Sequence, residues 1–415
     1  MSNALDKLLT MDPEKQKDMG IEYTAHEIRR EAGLWKDTAN RFEKQAETFR
    51  DYFSEFLGLE DKNIVLTGAG TSEYVGLCVD GLMRRNLKVP SVVISSTQII
   101  TDLDGTVITD DPTMLISFAR SGNSPESVGV VELAEQLNSQ IYHLVITCNE
   151  EGELLKQASS KAQCRSLVLH PDTNDNGLAM TSSFTNMVVA GQAISYLFKP
   201  GEYLGYIDSI SAAGEKVLAA APDIVEEISK LDFRRAVFLG NGAHFGAAKE
   251  SHLKLQEMTS GDVMCAYDSF LGLRHGPEAV VHDDTLVVAL LSEDGYRRKY
   301  EIDLLEELKS KKLGMKRVAV CAKADEHLRS LADYVIEFGP DSSNAEEPSA
   351  IPDDLYAPVS VIPGQLLGLF KSLDLGYKPD APSAGGIINR VVEGVRVYDP
   401  NTYHKSGKFS IIAER

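Results

Sequence analysis

The second half of this 415-residue chain repeats the first half at a nearly constant offset. The segment LTGAG ending at Gly70 is matched by FLGNG ending at Gly242, and both glycines of the first segment recur in the second. The run MLIS from 114 falls on LVVA from 286 at the same offset, and the apolar run ending at Cys148 falls on the run ending at Cys321 at about one position more. This internal repeat predicts two domains of one fold. Two unrelated domains in similar register are the alternative.

Short β-branched runs alternate with helix-like stretches, which indicates an α/β fold with a parallel, doubly wound sheet in each repeat. In the first repeat the predicted strands are Ile64–Leu66, Val92–Ile94, Met114–Phe118, Leu144–Thr147 and Ser166–Leu169.

Apolar residues at helical spacing before the first repeat predict an N-terminal helical segment. We therefore expect this segment at 1–57, domains at 58–210 and 220–390, and a C-terminal tail at 391–415. Residues 341–358 are acidic and proline-rich, which predicts a surface loop.

Composition excludes several classes of partner. With 42 Lys+Arg against 62 Asp+Glu, the net charge of −20 argues against binding to nucleic acid or to an anionic membrane. No stretch of about 18 apolar residues predicts a transmembrane helix, and the N-terminus lacks the pattern of a signal peptide. Five scattered cysteines without a CxxC motif indicate reduced thiols. We expect a cytoplasmic protein.

The loops predicted at one edge of the first sheet are rich in hydroxyl groups. Ligands of doubly wound sheets bind beyond the carboxyl ends of the strands. There Ser124 precedes Pro125, which is typical of a helix N-cap, and free N–H groups with Arg120 and serine hydroxyls suit a phosphate. The candidate ligand-binding residues are Thr71, Ser72, Arg120, Ser121, Asn123, Ser124 and Thr181. A capped helix without a ligand is the alternative.

The corresponding loop of the second repeat, 292–295, reads Ser-Glu-Asp-Gly. Because its carboxylates would repel a phosphate, we expect only the first repeat to keep an anion-binding loop.

The helix predicted after Gly242 carries Glu250, Lys254 and Glu257 at i, i+4 and i+7, so the three share one face. A lysine beside two carboxylates suits a general base with a supporting partner. A solvated ion pair is the alternative.

His275 precedes a Gly-Pro pair that fixes the backbone, as a positioned acid or base requires, although a merely loop-bound histidine is also open. One histidine beside two adjacent aspartates at 282–284 has poor ligand spacing, so no metal is expected.

With these motifs in place, the chain resembles the SIS (sugar isomerase) domain family as a tandem pair, over roughly residues 20 to 400. Within that family it is similar to AgaS-type galactosamine-6-phosphate deaminase/isomerases. The resemblance rests on GAGTS ending at Ser72, SGNS from Ser121, the Glu-Lys-Glu helix and RHGP around His275.

The isomerase half of glucosamine-6-phosphate synthase, a more distant relative, implies the roles. Its serine and threonine loops, which hold the sugar phosphate, correspond to Ser72, Ser121 and Ser124. Its last helix glutamate, here Glu257, moves the proton between C1 and C2. Its histidine, here His275, assists ring opening from a neighbouring subunit, which implies a homodimer or higher homo-oligomer with a shared active site.

Two positions depart from the family pattern. The family often has Ser-Gln-Ser-Gly-Glu-Thr where this chain reads Ala119-Arg-Ser-Gly-Asn-Ser124. The synthase's C-terminal lysine has no clear equivalent, and Asn389 and Arg390 lie near its place.

The resemblance implies deamination of an amino-sugar phosphate, galactosamine 6-phosphate, to tagatose 6-phosphate and ammonia, without a metal or organic cofactor. We expect this direction because the chain carries no glutaminase domain to supply ammonia. A ketose/aldose isomerase without ammonia release, a glucosamine-6-phosphate deaminase and, more remotely, a non-catalytic sugar-phosphate sensor are the alternatives.

Overall fold

The computed structural model describes residues 2–103, 105–106, 111–339, 351–383, 387–388, 390–392, 394–402 and 410–414. Within these residues the helices are α1 Ala4–Leu9, α2 Pro13–Met19, α3 Thr24–Glu43, α4 Ala46–Leu57, α5 Thr71–Leu87, α6 Ser96–Thr101, α7 Pro125–Leu137, α8 Glu153–Ser159, α9 Ser182–Ser195, α10 Pro200–Ser229, α11 Ala243–Met258, α12 Phe270–Leu273, α13 Gly295–Lys311, α14 Glu326–Leu331, α15 Ala357–Ser360 and α16 Ile362–Asp374.

The strands of the same residues are β1 Asn63–Thr67, β2 Ser91–Val93, β3 Thr113–Ala119, β4 Ile141–Thr147, β5 Cys164–Val168, β6 Arg235–Leu239, β7 Met264–Asp268, β8 Thr285–Leu290, β9 Lys316–Cys321, β10 Tyr334–Glu337, β11 Arg396–Tyr398 and β12 Ile411–Glu414. Short 3-10 turns cover Pro171–Thr173, Pro277–Val280, Asp353–Tyr356 and Pro400–Thr402.

Ten of the described strands form two five-stranded parallel sheets with the same order, β2-β1-β3-β4-β5 and β7-β6-β8-β9-β10. The other two, β11 and β12, pair antiparallel as a C-terminal hairpin. The register is repeated as well: Asn63 pairs with Thr113, and at the offset of the sequence repeat Arg235 pairs with Thr285. Every residue of β3, β4 and β8 is buried, as continuous apolar strands covered on both faces require. The predicted α/β class with two tandem domains and N-terminal helices is confirmed.

The chain divides into two compact units, each containing one sheet. The first-sheet unit comprises Lys36–Asn174, Asn186–Gly205 and Ile388–Arg415. The second-sheet unit comprises Met1–Trp35, Asp175–Thr185 and Tyr206–Ile387. The boundaries predicted at 58–210 and 220–390 stay a prediction.

Residues 353–358 correct the predicted surface loop. They form a 3-10 turn and the start of α15, and Asp354 through Pro358 are buried. A carboxylate can be buried here because the side chain of Asp353 is surrounded by hydrogen-bond donors, as described below. The preceding part of the predicted loop, 341–350, lies outside the described residues.

Two further expectations concern the cysteines and membrane-spanning helices. All five cysteines are free thiols. In the part of the chain that the structure describes, none of the helices combines the length and the apolar character needed to cross a membrane.

Candidate active site

The turn from β1 into α5 brings Thr71 and Ser72 to the carboxyl edge of the first sheet. Gly70 precedes the helix with φ 56° and ψ −125°, a conformation that favours glycine. Gly242 has nearly the same angles, φ 56° and ψ −129°, before α11 in the second sheet. Thr71 and Ser72 are each only 5% exposed. The repeated sequence therefore builds the same turn twice, with hydroxyls in the first copy.

The turn from β3 into α7 carries the second hydroxyl-rich loop. Ser124 is the N-cap predicted from the sequence: its Oγ accepts from the Ser127 N–H at 3.3 Å, and Pro125 follows at the first helical position. The Asn123 Oδ1 accepts from the N–H of Glu153, the first residue of α8, at 3.1 Å. The Ser121 carbonyl accepts from Asn149 Nδ2 at 2.8 Å. These contacts order the loop at the N-terminus of α7, where the free backbone N–H groups favour an anion.

Arg120 is held in the same unit by Arg390, the residue before the predicted C-terminal tail. Its Nη2 donates to the Arg390 carbonyl at 2.8 Å, and Arg390 Nη2 in turn donates to Asn174 Oδ1 at 2.7 Å. Arg120 is 7% exposed. The sequence singled out Arg390 only because it lies near the place of the synthase's C-terminal lysine. In the structure its carbonyl holds the predicted phosphate ligand Arg120. The neighbour of Arg390, Asn389, lies outside the described residues.

A cavity of about 500 Å³ lies beside this loop. Asn123 and Pro125 line it from the start of α7, and Ile412, Ala413 and Glu414 line it from β12. The C-terminal hairpin thereby forms a wall next to the predicted phosphate loop.

Thr181 belongs to the second-sheet unit and is fully buried. Its N–H donates to Asp175 Oδ2 at 2.8 Å, as does the N–H of Ser183. The Thr181 hydroxyl has no hydrogen-bond partner among the described residues. Asp175 therefore fixes the start of α9 and leaves a buried hydroxyl available.

Buried carboxylates next to this segment were not predicted from the sequence. Glu27 accepts from the N–H of Asn176 at 2.5 Å, and Glu31 accepts from the Thr185 hydroxyl at 2.9 Å. Burial, together with Asp175, raises the pKa of Glu27 to about 8. Burial also raises the pKa of Glu31 well above its ordinary value. The i, i+4 spacing of the two glutamates on α3 was the available signal, but the same spacing also occurs on solvated helices.

The Glu-Lys-Glu group lies on α11 as its spacing predicts. Lys254 Nζ is 3.1 Å from Glu250 Oε1 and 3.2 Å from Glu257 Oε1. The side chains of Lys254 and Glu250 are fully buried, whereas that of Glu257 is 21% exposed. Burial lowers the pKa of Lys254, but the two carboxylates outweigh it and the net shift is upward. A charged ammonium is therefore held between a buried carboxylate and an accessible one.

His275 lies between α12 and the 3-10 turn Pro277–Val280, and it is exposed. Its N–H donates to the Gly272 carbonyl at 2.9 Å. The neighbouring Arg274 is tied to Glu307 by a 2.6 Å hydrogen bond. The backbone at His275 is thus held by its own N–H and by the side chain of the preceding Arg274. Among the described residues, no cluster of three His, Cys, Asp or Glu side chains could hold a metal ion.

The loop after β8 donates hydrogen bonds to a carboxylate of the same chain, although its acidic sequence suggested that it would repel an anion. The carboxylate of Asp353 accepts from Ser292 Oγ at 2.7 Å and from the Glu293 N–H at 2.6 Å. The acidic side chains that suggested repulsion point elsewhere, since Glu293 accepts from the Ala322 N–H and Asp294 caps α13.

Two tandem parallel sheets of one order are the fold of a protein with paired SIS domains, and the chain belongs to the SIS domain family, whose model matches residues 59–195 and 231–367. The predicted family is therefore confirmed.

Among particular relatives, the Escherichia coli protein named D-galactosamine-6-phosphate deaminase AgaS is 34% identical over 378 residues, which cover 91% of this chain and 95% of that protein. A crystal structure from Clostridium novyi NT is 36% identical, covers 96% of this chain and all of that one, and has a TM-score of 0.89. The structure named tagatose-6-phosphate ketose/aldose isomerase from Escherichia coli is 32% identical, covers 87% of this chain and 95% of that one, and has a TM-score of 0.80.

Proposed function

We propose that the protein is an enzyme that converts galactosamine 6-phosphate and water to tagatose 6-phosphate and ammonia. The observation that carries the proposal is the α11 group, in which a buried ion pair supports one accessible carboxylate, Glu257. Similarity to the galactosamine-6-phosphate deaminase supports the choice of substrate, because it extends over 91% of this chain.

We assign phosphate binding to the first repeat. The hydroxyls of Thr71, Ser72, Ser121 and Ser124 and the N-terminus of α7 supply donors for the phosphate oxygens. Arg120, held by the Arg390 carbonyl, adds a positive charge near them. Asn123 orders the loop by capping α8. Thr181, whose buried hydroxyl has no partner among the described residues, stays a predicted substrate ligand.

Proton transfer is assigned to Glu257. In the open-chain sugar, the C1 aldehyde acidifies the proton on C2, which carries the amino group. Glu257 removes that proton to give an enolamine and returns it to C1, so that C2 becomes an imine. Water adds at C2, the C–N bond breaks with the electron pair leaving on nitrogen, and the products are ketose phosphate and ammonia.

Lys254 and Glu250 support that base. The upward pKa shift keeps Lys254 an ammonium, whose hydrogen bonds orient the Glu257 carboxylate. Glu250 forms the second ion pair of Lys254, on the buried side of the ammonium. Without it, Lys254 would bind Glu257 alone and compete with the substrate for the base.

His275 is assigned to ring opening, where an exposed imidazole can pass a proton between O1 and the ring oxygen O5. We further propose that it acts on the site of a neighbouring subunit, so that the active form is a homodimer or a larger homo-oligomer. The free thiols agree with the reducing cytoplasm, which is the proposed location.

A ketose/aldose isomerase that releases no ammonia is the second candidate, and the name of the Escherichia coli structure favours it. Both reactions use Glu257 in the same way and differ only in the attack of water on an imine.

The experiment measures ammonia release from galactosamine 6-phosphate and from glucosamine 6-phosphate, and aldose formation from tagatose 6-phosphate. We expect ammonia from the galacto sugar at a kcat/KM at least tenfold above that for the gluco sugar. Aldose formation from tagatose 6-phosphate with no ammonia from either amino sugar would establish the isomerase instead.

A further inference from the structure

The carboxylate of Asp353 occupies the carboxyl edge of the second sheet. Besides Ser292 Oγ and the Glu293 N–H, it contacts Arg297 Nη1 at 2.8 Å and His244 Nε2 at 3.3 Å. Asp353 is only 7% exposed by its side chain. Four donors from three elements, α11, the loop after β8 and α13, thus surround one buried anion.

His244 lies between the Ser360 hydroxyl and the Asp353 carboxylate. Its Nδ1 lies 2.9 Å from Ser360 Oγ, and that hydroxyl lies 3.2 Å from the Ala357 carbonyl, to which it donates. With the hydroxyl hydrogen directed to Ala357, the Ser360 Oγ is an acceptor for Nδ1–H, and Nε2 faces the Asp353 carboxylate. Burial lowers the pKa of His244, but Asp353 outweighs burial and the net shift is upward. Burial raises the pKa of Asp353, but His244 and the other donors outweigh it and hold that pKa well below its usual range.

The donors around Asp353 stand where the first repeat has its predicted phosphate ligands. At the offset that relates Gly70 to Gly242, His244 corresponds to Ser72, Ser292 to Arg120 and Glu293 to Ser121. The same strand register and the same glycine turn place each pair alike in its own sheet. Three of the donors around Asp353 therefore hold, in the second repeat, the positions that are predicted to bind phosphate in the first.

We propose that the second repeat is a complete site for a small oxyanion, and that the Asp353 carboxylate of the same chain permanently occupies it. Removal of that carboxylate opens a site for formate or inorganic phosphate. This inference does not depend on the proposed enzymatic activity, because it concerns binding in the second repeat alone.

The occupied site also has a structural consequence for the catalytic helix. Asp353 and Ser360 both bind His244, which lies in the first turn of α11. The chain then continues into α16, where a Cβ on Gly368 would lie 2.9 Å from the Lys254 carbonyl. Asp353 and Ser360 therefore tie the first turn of α11 to the segment that leads into α16, which packs directly against the Glu-Lys-Glu helix.

The experiment compares Asp353→Ala with the wild type in thermal unfolding, in chloride and in formate at equal ionic strength. Alanine keeps Cβ, so formate supplies only the missing carboxylate. In chloride the variant should unfold roughly 5 °C or more below the wild type, because three polar groups and the histidine lose their partner. Formate should restore at least half of that loss in the variant and leave the wild type unchanged. Inorganic phosphate should act in the same direction.

Two further variants keep the result interpretable. Asp353→Asn should be destabilised without rescue by formate, because its amide fills the space of the carboxylate. Asp325→Ala is the matched control: Asp325 caps α14 through the Leu328 N–H at 2.7 Å and lies outside the site. Formate should not raise the melting temperature of Asp325→Ala above its value in chloride.

If Asp353→Ala does not fold in chloride, the readout becomes the yield of folded protein on refolding in formate against chloride. An equal yield, or melting temperatures of Asp353→Ala that are equal in the two salts, overturns the proposal. A variant that melts at the wild-type temperature in chloride overturns it as well.

Discussion

At the scale of single residues, the site is decided by which charges are buried and which are reachable. Lys254 and Glu250 are both fully buried, so neither can meet a substrate without rearrangement. Glu257 shares the same ammonium but keeps 21% of its side chain exposed. Because of this difference in exposure, Glu257 is the proposed base and the two buried residues are its proposed support. Glu257 is therefore the residue to test.

Glu257→Gln should lower the rate of deamination on the order of 100-fold or more, because the amide cannot accept the C2 proton. Binding of the sugar phosphate should change little, since the proposed phosphate ligands are other residues, in the first repeat. Single-turnover kinetics with galactosamine 6-phosphate measure the first quantity and equilibrium titration measures the second. Glu326→Gln, an exposed glutamate on α14, is the control. A single-turnover rate within threefold of the wild type would remove Glu257 from the mechanism.

Glu27 makes stability depend on pH. Its pKa rises from 4.5 to about 8 on folding, through burial and the neighbouring Asp175, against hydrogen bonds from Asn176 and Gly177. A carboxyl group with a raised folded-state pKa binds a proton that the unfolded chain releases, so its stabilisation is complete below its unfolded value and is lost as the pH rises through about 8.

Glu27→Gln should therefore be more stable than the wild type at pH 8, by about 1 kcal/mol or more, and nearly equal to it at pH 5. Denaturant unfolding at several pH values measures the difference, with the exposed Glu22→Gln as control. Parallel pH profiles for wild type and Glu27→Gln would contradict the assignment.

Residues could be predicted from the sequence where the evidence for them lies in neighbouring positions, and were missed where it lies far away in the chain. Glu250, Lys254 and Glu257 share a face because of helical spacing alone, and Ser124 caps α7 because of the residues next to it. Asp353 gives no such signal, because its donors come from positions 56 to 109 residues away. A carboxylate in an acidic, proline-rich stretch looks solvated until those donors are known.

At the scale of elements, the C-terminal hairpin is tied to the helix that begins at the predicted phosphate loop. Val397 of β11 is fully buried, and Asn401 Nδ2 donates to Gln136 of α7 at 3.0 Å. A Cβ on Gly129 of α7 would lie 2.7 Å from Val397 Cγ1, closer than real contacts allow. The hairpin can pack here only because Gly129 has no side chain.

Gly129→Ala should lower the melting temperature, although alanine in a helix ordinarily adds stability of roughly 0.5–1 kcal/mol. Gly205→Ala is the matched control: that glycine lies in α10 with nothing within 4 Å of a new Cβ, so its melting temperature should rise or stay constant. Adding Val397→Ala to Gly129→Ala should recover part of the loss by removing the clashing methyl groups. Equal effects of Gly129→Ala and Gly205→Ala would show that the hairpin does not pack closely on α7.

Elements were predictable where one pattern extends over several residues. The β-branched runs gave four of the five strands of the first sheet to within two residues at each end, and β4 begins three residues before its predicted start. The buried turn at Asp353–Tyr356 escaped prediction, because its burial depends on the rest of the chain neutralising one carboxylate.

At the scale of the whole molecule, duplication and divergence explain why two copies of one fold carry different chemistry. The first copy keeps hydroxyls and Arg120 at its sheet edge, and the second keeps the Glu-Lys-Glu helix while Asp353 fills its anion site. The constant offset between matching motifs made this duplication visible in the sequence. Association between copies of the chain leaves no such pattern in the sequence.

His275 should act on the site of a neighbouring protomer. It is exposed on a fixed turn rather than packed against its own chain, so it is available to a second copy. Glu257→Gln and His275→Ala should each be inactive alone. In a mixed dimer, one site then receives Glu257 from one protomer and His275 from the other, and the second site receives neither.

Mixing the two variants in equal amounts tests this arrangement. After full subunit exchange with random pairing, about half of the dimers are mixed and each has one intact site of two, so roughly a quarter of wild-type activity should return. Native mass spectrometry confirms the exchange, and mixing each variant with itself is the control. If mixed dimers form and activity stays at the level of the separate variants, His275 serves the same chain that carries Glu257.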